Sequence, residues 1–389
     1  MKAYQMLINN RWVEAAGGRR YEVTNPATGE VLGTVPDAGV EDARAAIDAA
    51  YEAFPVWSRM PALERSRAMR RLYQLIMDRV DDLARLLTQE QGKPLREARA
   101  EVINGAEFVN WYAEETRRIY GEWIPGNSEK HRIWVIRQPV GVVAAITPWN
   151  FPSSMITRKI APALAAGCTV VVKPAPETPL SALALAELVL EAELPPGVVN
   201  IITTTDAPAI GQEFLTNRKV AKLSFTGSTE VGKLLVAGSA QQLKRVSLEL
   251  GGHAPFIIFD DADLDLAVRH AVGSKFRNAG QTCICANRVF VQESVAEAFI
   301  EKFLAAVKAL KVGNGLDAGT DIGPLINEEA YEKVESHVAD ARSRGAAVLC
   351  GGHRLTESPY DRGVFYAPTV LAQVTDDMKI MQEETFGPV

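Results

Sequence analysis

The sequence predicts an α/β protein organised around a parallel β-sheet. Between residues 141 and 250, short apolar stretches of strand length alternate with stretches of helical length. Strands that are apolar along their whole length are typical of parallel sheets covered on both faces by helices. The polar and glycine-rich motifs of this region all fall at the carboxyl ends of the strands, where such sheets bind ligands. The predicted strands are 141–146, 169–172, 198–202, 222–225 and 246–250, and the helices between them are 152–166, 180–190, 209–215 and 229–240.

The first 120 residues predict a small pair of strands and several amphipathic helices. Asn25-Pro26-Ala27-Thr28-Gly29-Glu30 is a turn sequence between two strand-like stretches, which is typical of a β-hairpin. Apolar and charged residues alternate at helical spacing in 40–56, 62–89 and 97–120. Residues 131–139 are strand-like, and they fit a protruding arm and an ordinary edge strand equally well. In the last third, we expect helices at 264–276, 295–310 and 328–345 and a strand at 288–291.

Composition indicates a soluble globular protein. The chain has 389 residues, 47% hydrophobic and 23% charged, which is enough for two or more domains. A net charge of -6 without a basic stripe argues against sequence-independent nucleic-acid binding. The longest apolar stretch, 160–172, is too short to span a bilayer, and the N-terminus lacks the apolar core of a signal peptide. Four unevenly spread cysteines make no disulfide framework, so we expect a cytoplasmic protein.

Residues 276–288, FRNAGQTCICANR, hold two of the four cysteines and few bulky apolar side chains. A cysteine used for packing usually lies among leucine, valine and isoleucine. Cys283 instead follows Gly280 and Gln281, as if a loop presented it. Its thiolate could act as a nucleophile, but a buried structural cysteine fits this stretch equally well. The five histidines are scattered and supply no ligand cluster near the cysteines, so we expect no metal site.

Two polar motifs follow the first two strands of the predicted sheet. In TPWNFP, residues 147–152, Asn150 is a possible hydrogen-bond donor to an oxyanion. Asparagine is also favoured as a helix N-cap, which is the alternative role for Asn150. In KPAPETP, residues 173–179, Lys173 could reach ribose or phosphate oxygens, or it could lie in solvent before a proline-rich turn.

Two further motifs follow the fourth and fifth strands. FTGSTEVGK, residues 225–233, combines glycine, hydroxyls and a helix N-terminus, which suits a phosphate. Leu234 stands where a P-loop requires a serine or threonine for Mg²⁺, and no G-x-G-x-x-G is present. In LELGG, residues 248–252, partial burial of Glu249 would raise its pKa as a general base requires. The alternative is a salt-bridged glutamate at a strand end.

Taken together, these motifs resemble the aldehyde dehydrogenase family. The resemblance rests on segments 147–152, 173–179, 225–232, 248–252, 280–283 and 383–389, which occur in the family's order across nearly the whole chain. It implies a parallel Rossmann-type cofactor domain, an α/β catalytic domain and a β-arm for oligomerisation. The implied boundaries are 1–121 and 141–250 for the NAD(P)-binding domain, 122–140 for the first part of the arm, and 251–389 for a catalytic domain whose C-terminal part is absent.

The resemblance implies NAD- or NADP-dependent oxidation of an aldehyde through a thiohemiacetal and a thioester on Cys283. It makes Glu249 the general base, and Asn150 an oxyanion donor together with the Cys283 backbone N–H. Lys173 would contact the adenosine ribose, Ser228 the pyrophosphate and Glu384 the nicotinamide ribose. The other residues expected to bind the cofactor are Ile146, Thr147, Pro148, Trp149, Ala175, Pro176, Glu177, Gly227, Gly232, Leu250 and Phe386.

Within the family, residues 155–159 and 275–283 are most similar to succinate-semialdehyde dehydrogenases. Those enzymes hold the distal carboxylate of the substrate with arginines that match Arg158 and Arg277. A guanidinium suits this role because it can bind a carboxylate with two parallel hydrogen bonds. Either arginine could instead pair with a structural acid. Glutarate semialdehyde, which is one methylene longer, is the nearest competing substrate.

Three questions stay open from the sequence. Cys283 and Cys285 match family members in which the two form a reversible disulfide, although Cys285 could also be a bystander. Pro176 stands where many NAD-preferring members carry a glutamate, and Glu177 is one position late, so both cofactors fit. Family members also continue past residue 389 and form homo-oligomers, here expected to be dimers or tetramers. The rival hypotheses are a truncated, catalytically silent nucleotide-binding protein and a cofactor-independent thioester or ester hydrolase.

Overall fold

The computed structural model describes residues 2–389, which fall into two units. The first comprises the chain up to Val23, Gly33–Leu83 and Ala100–Glu249, and the second comprises Thr24–Leu32, Ala84–Arg99 and Leu250–Val389. The strands are β1 (Lys2–Ala3), β2 (Met6–Ile8), β3 (Arg11–Val13), β4 (Arg20–Thr24), β5 (Val31–Pro36), β6 (Glu122–Pro125), β7 (Arg132–Val135), β8 (Val142–Ile146), β9 (Thr169–Lys173), β10 (Val199–Ile201), β11 (Val220–Thr226), β12 (Arg245–Glu249), β13 (Ala254–Ile258), β14 (Ala286–Val291), β15 (Ala347–Cys350), β16 (Arg354–Leu355), β17 (Phe365–Tyr366) and β18 (Val370–Ala372). The α-helices are α1 (Val40–Arg59), α2 (Ala62–Asp78), α3 (Val80–Gln91), α4 (Leu95–Glu115), α5 (Ser154–Ala166), α6 (Pro179–Glu191), α7 (Ala207–Thr216), α8 (Thr229–Ser239), α9 (Leu264–Lys275), α10 (Glu293–Lys308), α11 (Glu328–Ser343) and α12 (Lys379–Gln382).

A seven-stranded sheet with the order β12-β11-β8-β9-β10-β2-β3 lies at the centre of the first unit. The five strands from β12 to β10 are parallel, so the predicted parallel sheet is confirmed. Strands β8 and β9 are buried at every position, as is typical of a parallel sheet whose faces are covered by helices. The hairpin β2–β3 extends the sheet in antiparallel pairing, and the sequence analysis missed it. Strands of three residues are too short to show an alternating pattern.

The predicted helices are present, with one break that the sequence did not reveal. The single helix expected over 62–89 is divided at Arg79, whose φ of -116° and ψ of 19° leave the helical region. The apolar spacing continues through this break, and for that reason the pattern predicted one helix. Helix α4 ends at Glu115, and a single 3-10 turn over Thr116–Arg118 follows it.

Strands β6 and β7 form an antiparallel hairpin that belongs to no larger sheet within residues 2–389. Every residue of both strands is exposed, and Trp123 lies opposite Trp134. The hairpin is therefore a free arm and not an edge strand of the central sheet. Its exposed side chains include two tryptophans at 62% and 73% exposure, which is unusual for a surface that stays in water.

The second unit contains the parallel pair β13–β14 and helices α9 to α12. Its core includes Phe299 and Phe303, whose rings stack with centroids 5.4 Å apart. The turn predicted at residues 25–30 closes with a hydrogen bond from the Asn25 N–H to the Glu30 carbonyl, at 2.9 Å. In the part of the chain that is described, no helix combines the length and apolar character needed to cross a membrane.

Candidate active site

The carboxyl ends of four neighbouring parallel strands form one edge of the sheet in the first unit. The register places Ile146 opposite both Lys173 and Phe225, and Thr226 opposite Glu249. The ladder continues one residue further, because the Thr147 N–H donates to the Lys173 carbonyl at 3.1 Å. This edge therefore gathers many of the predicted residues, namely Ile146, Thr147, Lys173, Gly227 and Glu249 with the segments that follow them.

Lys173 is a buried charge at the end of β9. Its side chain is 3% exposed, and its Nζ donates to the Pro174 carbonyl at 3.0 Å. Burial lowers the pKa of Lys173 to about 8, and Glu177 opposes this shift only in part. The alternative of a solvated lysine is therefore wrong. Ala175 is buried beside it, whereas Pro176 and Glu177 are half-buried.

Three buried threonine hydroxyls near the same strand ends have no hydrogen-bond partner among residues 2–389. They belong to Thr147, Thr178 and Thr226. A buried hydroxyl without a partner costs about 1–3 kcal/mol, so such groups are expected to have a partner in the working protein. A ligand rich in hydroxyls and phosphates, such as a dinucleotide, fits this edge.

Residues 227–232, which follow β11, would let a ligand approach the backbone closely. Ser228 is the N-cap of α8, and its Oγ accepts the Val231 N–H at 3.3 Å. A Cβ atom at Gly227 would overlap Cζ of Phe225, so any larger residue here would force the buried Phe225 ring to move. Gly232 is buried within α8. A helix N-terminus behind a glycine is a favourable place for a phosphate.

Asn150 is buried in the loop between β8 and α5. It does not cap α5, because the N-cap residue of that helix is Ser153. The backbone N–H groups of Ser153 and Ser154 instead donate to the carboxylate of Glu101, at 2.9 and 3.2 Å. The helix-cap alternative for Asn150 is therefore wrong, and its role as an oxyanion donor stays a prediction.

Glu249 does not have the partial burial that the sequence predicted. Its side chain is 60% exposed, because β12 is the edge strand of the sheet and is exposed at most positions. Its Oε1 lies 3.8 Å from Nη2 of Arg158, the predicted substrate ligand. The Arg158 guanidinium also lies 5.6 Å from the centre of the Phe108 ring. The structure thus brings the predicted base and one predicted carboxylate-binding arginine together.

Lys159 is a residue that the sequence analysis missed. It is buried next to Arg158, and its Nζ donates to Ser224 Oγ at 3.2 Å. Burial lowers the pKa of Lys159 to about 8, against the opposing effect of Glu249. The sequence did contain a sign of this burial, because Lys159 occupies one of the otherwise apolar positions of α5.

Cys283 lies on a loop with an unusual backbone. Asn278 and Ala279 have φ of 52° and 55°, in the left-handed region, and Gly280 follows with φ of 71°. For residues other than glycine this conformation costs about 1–2 kcal/mol each. The Gln281 side chain bonds the carbonyls of Asn278 and Pro324 and the N–H of Ile326 at 3.0 to 3.3 Å. Cys283 itself is half-buried and forms no disulfide in the described part of the chain, so a fixed loop presents it in part to solvent.

Cys285 has different surroundings from Cys283. It is 2% exposed, and its Sγ lies 3.8 Å from Nζ of the buried Lys275. The same Nζ donates to Asn287 Oδ1 at 2.8 Å, and burial lowers the pKa of Lys275. The thiol also donates to the Gly280 carbonyl at 3.5 Å. Neither cysteine forms a disulfide within residues 2–389, and the predicted reversible disulfide between them stays a prediction.

Glu384 is held near the start of the second unit. Its Oε1 accepts the Gly252 N–H at 3.4 Å, and burial raises the pKa of Glu384. His337 contacts the two residues next to Glu384: its Nδ1 lies 3.1 Å from Thr385 Oγ1, and its Nε2 lies 3.3 Å from a carboxylate oxygen of Glu383. Leu250 and Phe386, the other predicted cofactor residues of this unit, are half-buried. Among the described residues, no group of three or more His, Cys, Asp or Glu side chains is arranged to hold a metal ion.

Comparison with known proteins decides the family. The sequence profile described as the aldehyde dehydrogenase family matches residues 12–389. The chain belongs to the aldehyde dehydrogenase family. The resemblance inferred from the motifs and the α/β fold class that it implied are both confirmed.

Several members of the aldehyde dehydrogenase family are similar over most of their length. The chain is 55% identical over 386 residues to the NADP(+) succinate-semialdehyde dehydrogenase GabD of Escherichia coli (strain K12), covering 99% of this chain and 79% of that protein. It is also 55% identical over 385 residues to the glutarate-semialdehyde dehydrogenase of Pseudomonas putida, with the same coverage of 99% and 79%. Two names at equal identity show that identity alone does not choose the substrate.

Solved structures of family members have the same fold. A crystal structure of an NADP-dependent enzyme of E. coli superimposes with a TM-score of 0.97 at 55% identity, covering 99% of this chain and 79% of that one. The succinate-semialdehyde dehydrogenase of Burkholderia pseudomallei gives a TM-score of 0.96 at 52% identity, with coverage of 99% and 79%. The roles of the individual side chains described above stay predictions within this family.

Proposed function

We propose that the chain is an NAD- or NADP-dependent aldehyde dehydrogenase that oxidises succinate semialdehyde to succinate. The observation that carries this proposal is the half-buried thiol of Cys283, which forms no disulfide among residues 2–389 and lies on a loop fixed by the buried Gln281. A nucleophile needs access to its substrate and a defined direction of attack, and this loop supplies both. The relatives named as succinate-semialdehyde dehydrogenases support the choice of substrate.

The proposed reaction has two stages that involve Cys283. Its thiolate attacks the carbonyl carbon of the aldehyde to give a thiohemiacetal, whose oxyanion accepts hydrogen bonds from Asn150 and the Cys283 N–H. When bound, NAD or NADP supplies the hydride acceptor. Loss of the hydride leaves the acyl group on Cys283 as a thioester. Glu249 then takes a proton from a water molecule as that water attacks the thioester, and the products are the carboxylic acid and the Cys283 thiolate.

The cofactor is proposed to bind at the carboxyl edge of the central sheet. The three buried threonine hydroxyls without partners, the N-terminus of α8 and the buried Lys173 support this placement. Their donor set suits the ribose hydroxyls and the pyrophosphate of a dinucleotide. Ile146, Pro148, Trp149, Ala175, Pro176, Glu177, Gly227, Ser228 and Gly232 would complete the surface. Leu250, Glu384 and Phe386 stay predicted cofactor residues of the second unit.

Replacing Lys173 by methionine is expected to stabilise the protein and weaken cofactor binding. The pKa of Lys173 falls from 10.5 to about 8 on folding, which corresponds to a penalty of about 3 kcal/mol at neutral pH. The native pKa is below the unfolded one, so the unfolded chain holds the proton more tightly. The penalty is fully present below pH 8 and disappears as the pH rises to 10.5.

For Lys173→Met, thermal unfolding at pH 7 should therefore show a free energy of unfolding that is higher by about 1–3 kcal/mol. Titration with NAD and NADP should show weaker binding of both. If Lys173 has only a structural role, the variant will lose stability while cofactor affinity is unchanged, and that combination contradicts the assignment. Lys219→Met is the control, because that lysine is an exposed side chain paired with Asp48.

The substrate carboxylate is proposed to bind Arg158 and Arg277. Arg158 is 45% exposed, and Arg277 is exposed immediately before the fixed Asn278–Cys283 loop. Arg277 is tested first, because a change at Arg158 would also alter the surroundings of the proposed base Glu249, whose Oε1 lies 3.8 Å from Arg158 Nη2. A hydrogen bond to a charged group contributes about 1.5–3 kcal/mol, so its loss changes binding about 10- to 150-fold.

Arg277→Ala should therefore raise KM for succinate semialdehyde by about 10- to 100-fold and leave KM for butanal nearly unchanged. Arg269→Ala, which removes an exposed arginine of α9, serves as the control. Steady-state kinetics with both aldehydes make the comparison. An equal loss with the two substrates would show that Arg277 maintains the loop and does not bind the carboxylate.

Glutarate semialdehyde is the second candidate substrate, because a glutarate-semialdehyde dehydrogenase is as similar to this chain as the succinate enzyme. One methylene changes discrimination by only about 1–3 kcal/mol, so we expect measurable activity with both. We also propose that the β6–β7 arm mediates assembly into a dimer or tetramer through its exposed tryptophans, and that the enzyme works in the cytoplasm.

A further inference from the structure

We propose that Glu97 is a positioning residue that fixes the left-handed turn before Cys283 and so orients Arg277 and Cys283. This inference rests on the proposed function for the roles of Arg277 and Cys283. Glu97 lies in the first turn of α4, and its Oε2 accepts the backbone N–H of Asn278 at 2.8 Å. The two residues are 181 positions apart in the chain, and both belong to the second unit.

The turn needs an external support because its own residues disfavour it. Glycine adopts the left-handed region freely, but Asn278 and Ala279 occupy it in succession. Asparagine tolerates this conformation through its short polar side chain, whereas alanine has no such compensation. The left-handed turn is therefore retained by contacts from outside the segment.

The side chains of Gln281 and Glu97 both bond Asn278, and we call each of them an anchor of the turn. Gln281 provides the first anchor. Its side-chain Nε2 donates to the Asn278 backbone carbonyl at 3.0 Å, and its backbone carbonyl accepts from Asn278 Nδ2 at 3.2 Å. Glu97 provides the second anchor at the Asn278 N–H, in the peptide group that joins Asn278 to Arg277. Loss of the Glu97 bond would loosen the Arg277 side of the turn, because the Asn278 N–H loses its charged acceptor while the Gln281 bonds and the longer 3.4 Å bond from Thr282 Oγ1 to the Arg277 carbonyl remain.

The backbone N–H of Asn278 and three basic side chains offset part of the cost of burying the charge of Glu97. Burial raises the pKa of Glu97, while the Asn278 N–H and then Lys93, Arg277 and Arg96 oppose this shift. A carboxylate that accepts from a backbone N–H makes a stronger bond than a neutral acceptor does. One of the basic neighbours is Arg277 itself, so the same carboxylate fixes the peptide group and balances the charge of the side chain next to it.

The test compares variants that keep and remove the acceptor. Glu97→Gln retains an oxygen that can accept the Asn278 N–H, whereas Glu97→Leu removes it at similar size. Asp42→Leu is the matched control, because the buried Asp42 carboxylate accepts the N–H groups of Ala16 and Gly39, both at 2.9 Å, in the first unit. The first readout is the rate at which iodoacetamide alkylates Cys283 in folded protein, followed by peptide mapping. The second is kcat and KM with succinate semialdehyde and with butanal.

We expect Glu97→Leu to alkylate Cys283 at least threefold faster than the wild type, since the half-buried thiol becomes more accessible on a released loop. Its kcat/KM should fall at least tenfold for both aldehydes, and further for succinate semialdehyde because Arg277 is displaced. Glu97→Gln should stay within about threefold of the wild type in both readouts. Asp42→Leu should lose thermal stability but keep the wild-type alkylation rate.

A second variant covers the case in which Glu97→Leu does not fold. In a Glu97→Ala background, Ala279→Gly relieves the left-handed strain. The double variant should therefore have a kcat/KM at least threefold higher than that of Glu97→Ala alone. A wild-type alkylation rate in the folded Glu97→Leu or Glu97→Ala protein, or an equal loss in Glu97→Gln, would overturn the proposal. Alkylation needs neither aldehyde nor cofactor, so its result separates a failure of this inference from a failure of the proposed function.

Discussion

Replacing Cys283 by alanine is expected to abolish aldehyde oxidation and to leave cofactor binding close to that of the wild type. The thiol forms both covalent intermediates of the proposed reaction, and loss of a nucleophile removes the chemical step altogether. We therefore expect kcat to fall by at least about 10³-fold, to the detection limit of the assay. The Cβ atom is retained, and the loop is held by Gln281 and Glu97, so the fold should not change.

The matched control for Cys283→Ala is Cys350→Ala. Cys350 is also a half-buried cysteine of the second unit, and its thiol donates to the Pro368 carbonyl at 3.7 Å. It should keep wild-type turnover. Reduction of NAD or NADP by the Cys283→Ala protein at a measurable rate would remove Cys283 as the nucleophile. Isothermal titration with both cofactors verifies that the binding surface is intact.

Replacing Glu249 by glutamine is expected to slow the second stage of the reaction much more than the first. The amide cannot take a proton from water, and the loss of a general base typically costs about 10²–10⁴-fold. The thioester should therefore accumulate, so that a burst of reduced cofactor is followed by a slow steady state. Mass spectrometry of the quenched protein should find the acyl group on Cys283.

The exposure of Glu249 makes its role as the general base the less expected one. Its side chain is 60% exposed, and its Oε1 lies 3.8 Å from Nη2 of Arg158. Glu293→Gln, which changes an exposed glutamate of α10, is the control for a general effect of charge. An unchanged steady-state rate in Glu249→Gln would exclude Glu249 as the base.

The fold of the first unit was predictable because its signal is local and repeated. Strand β8 is apolar throughout, β9 has three consecutive valines, and a polar motif lies at the end of each, so the parallel sheet and its functional edge could be inferred from short segments. The hairpin β2–β3 was missed because each strand has three residues. The break at Arg79 was missed because the apolar spacing of helices α2 and α3 continues across it.

The sequence indicated which residues are candidates for the site, but it did not indicate how exposed each side chain is or what it contacts. The motif around Glu249 suggested burial, yet exposure depends on the position of β12 at the sheet edge, which the sequence does not encode locally. Lys173 was expected as a ligand of the ribose, but its burial follows from the helices that cover the sheet. The contact of Glu97 with Asn278 joins residues 181 positions apart, so no local pattern reveals it.

The most direct test of the account is the absorbance of reduced nicotinamide after mixing the purified wild-type protein with aldehyde and cofactor. Succinate semialdehyde, glutarate semialdehyde and butanal are each combined with NAD and with NADP under reducing conditions. We expect reduction with both semialdehydes at a kcat/KM at least tenfold above that for butanal, since only they offer a carboxylate to Arg158 and Arg277. Folded protein that reduces neither cofactor with any of the three aldehydes would contradict the account and favour a catalytically silent nucleotide-binding protein.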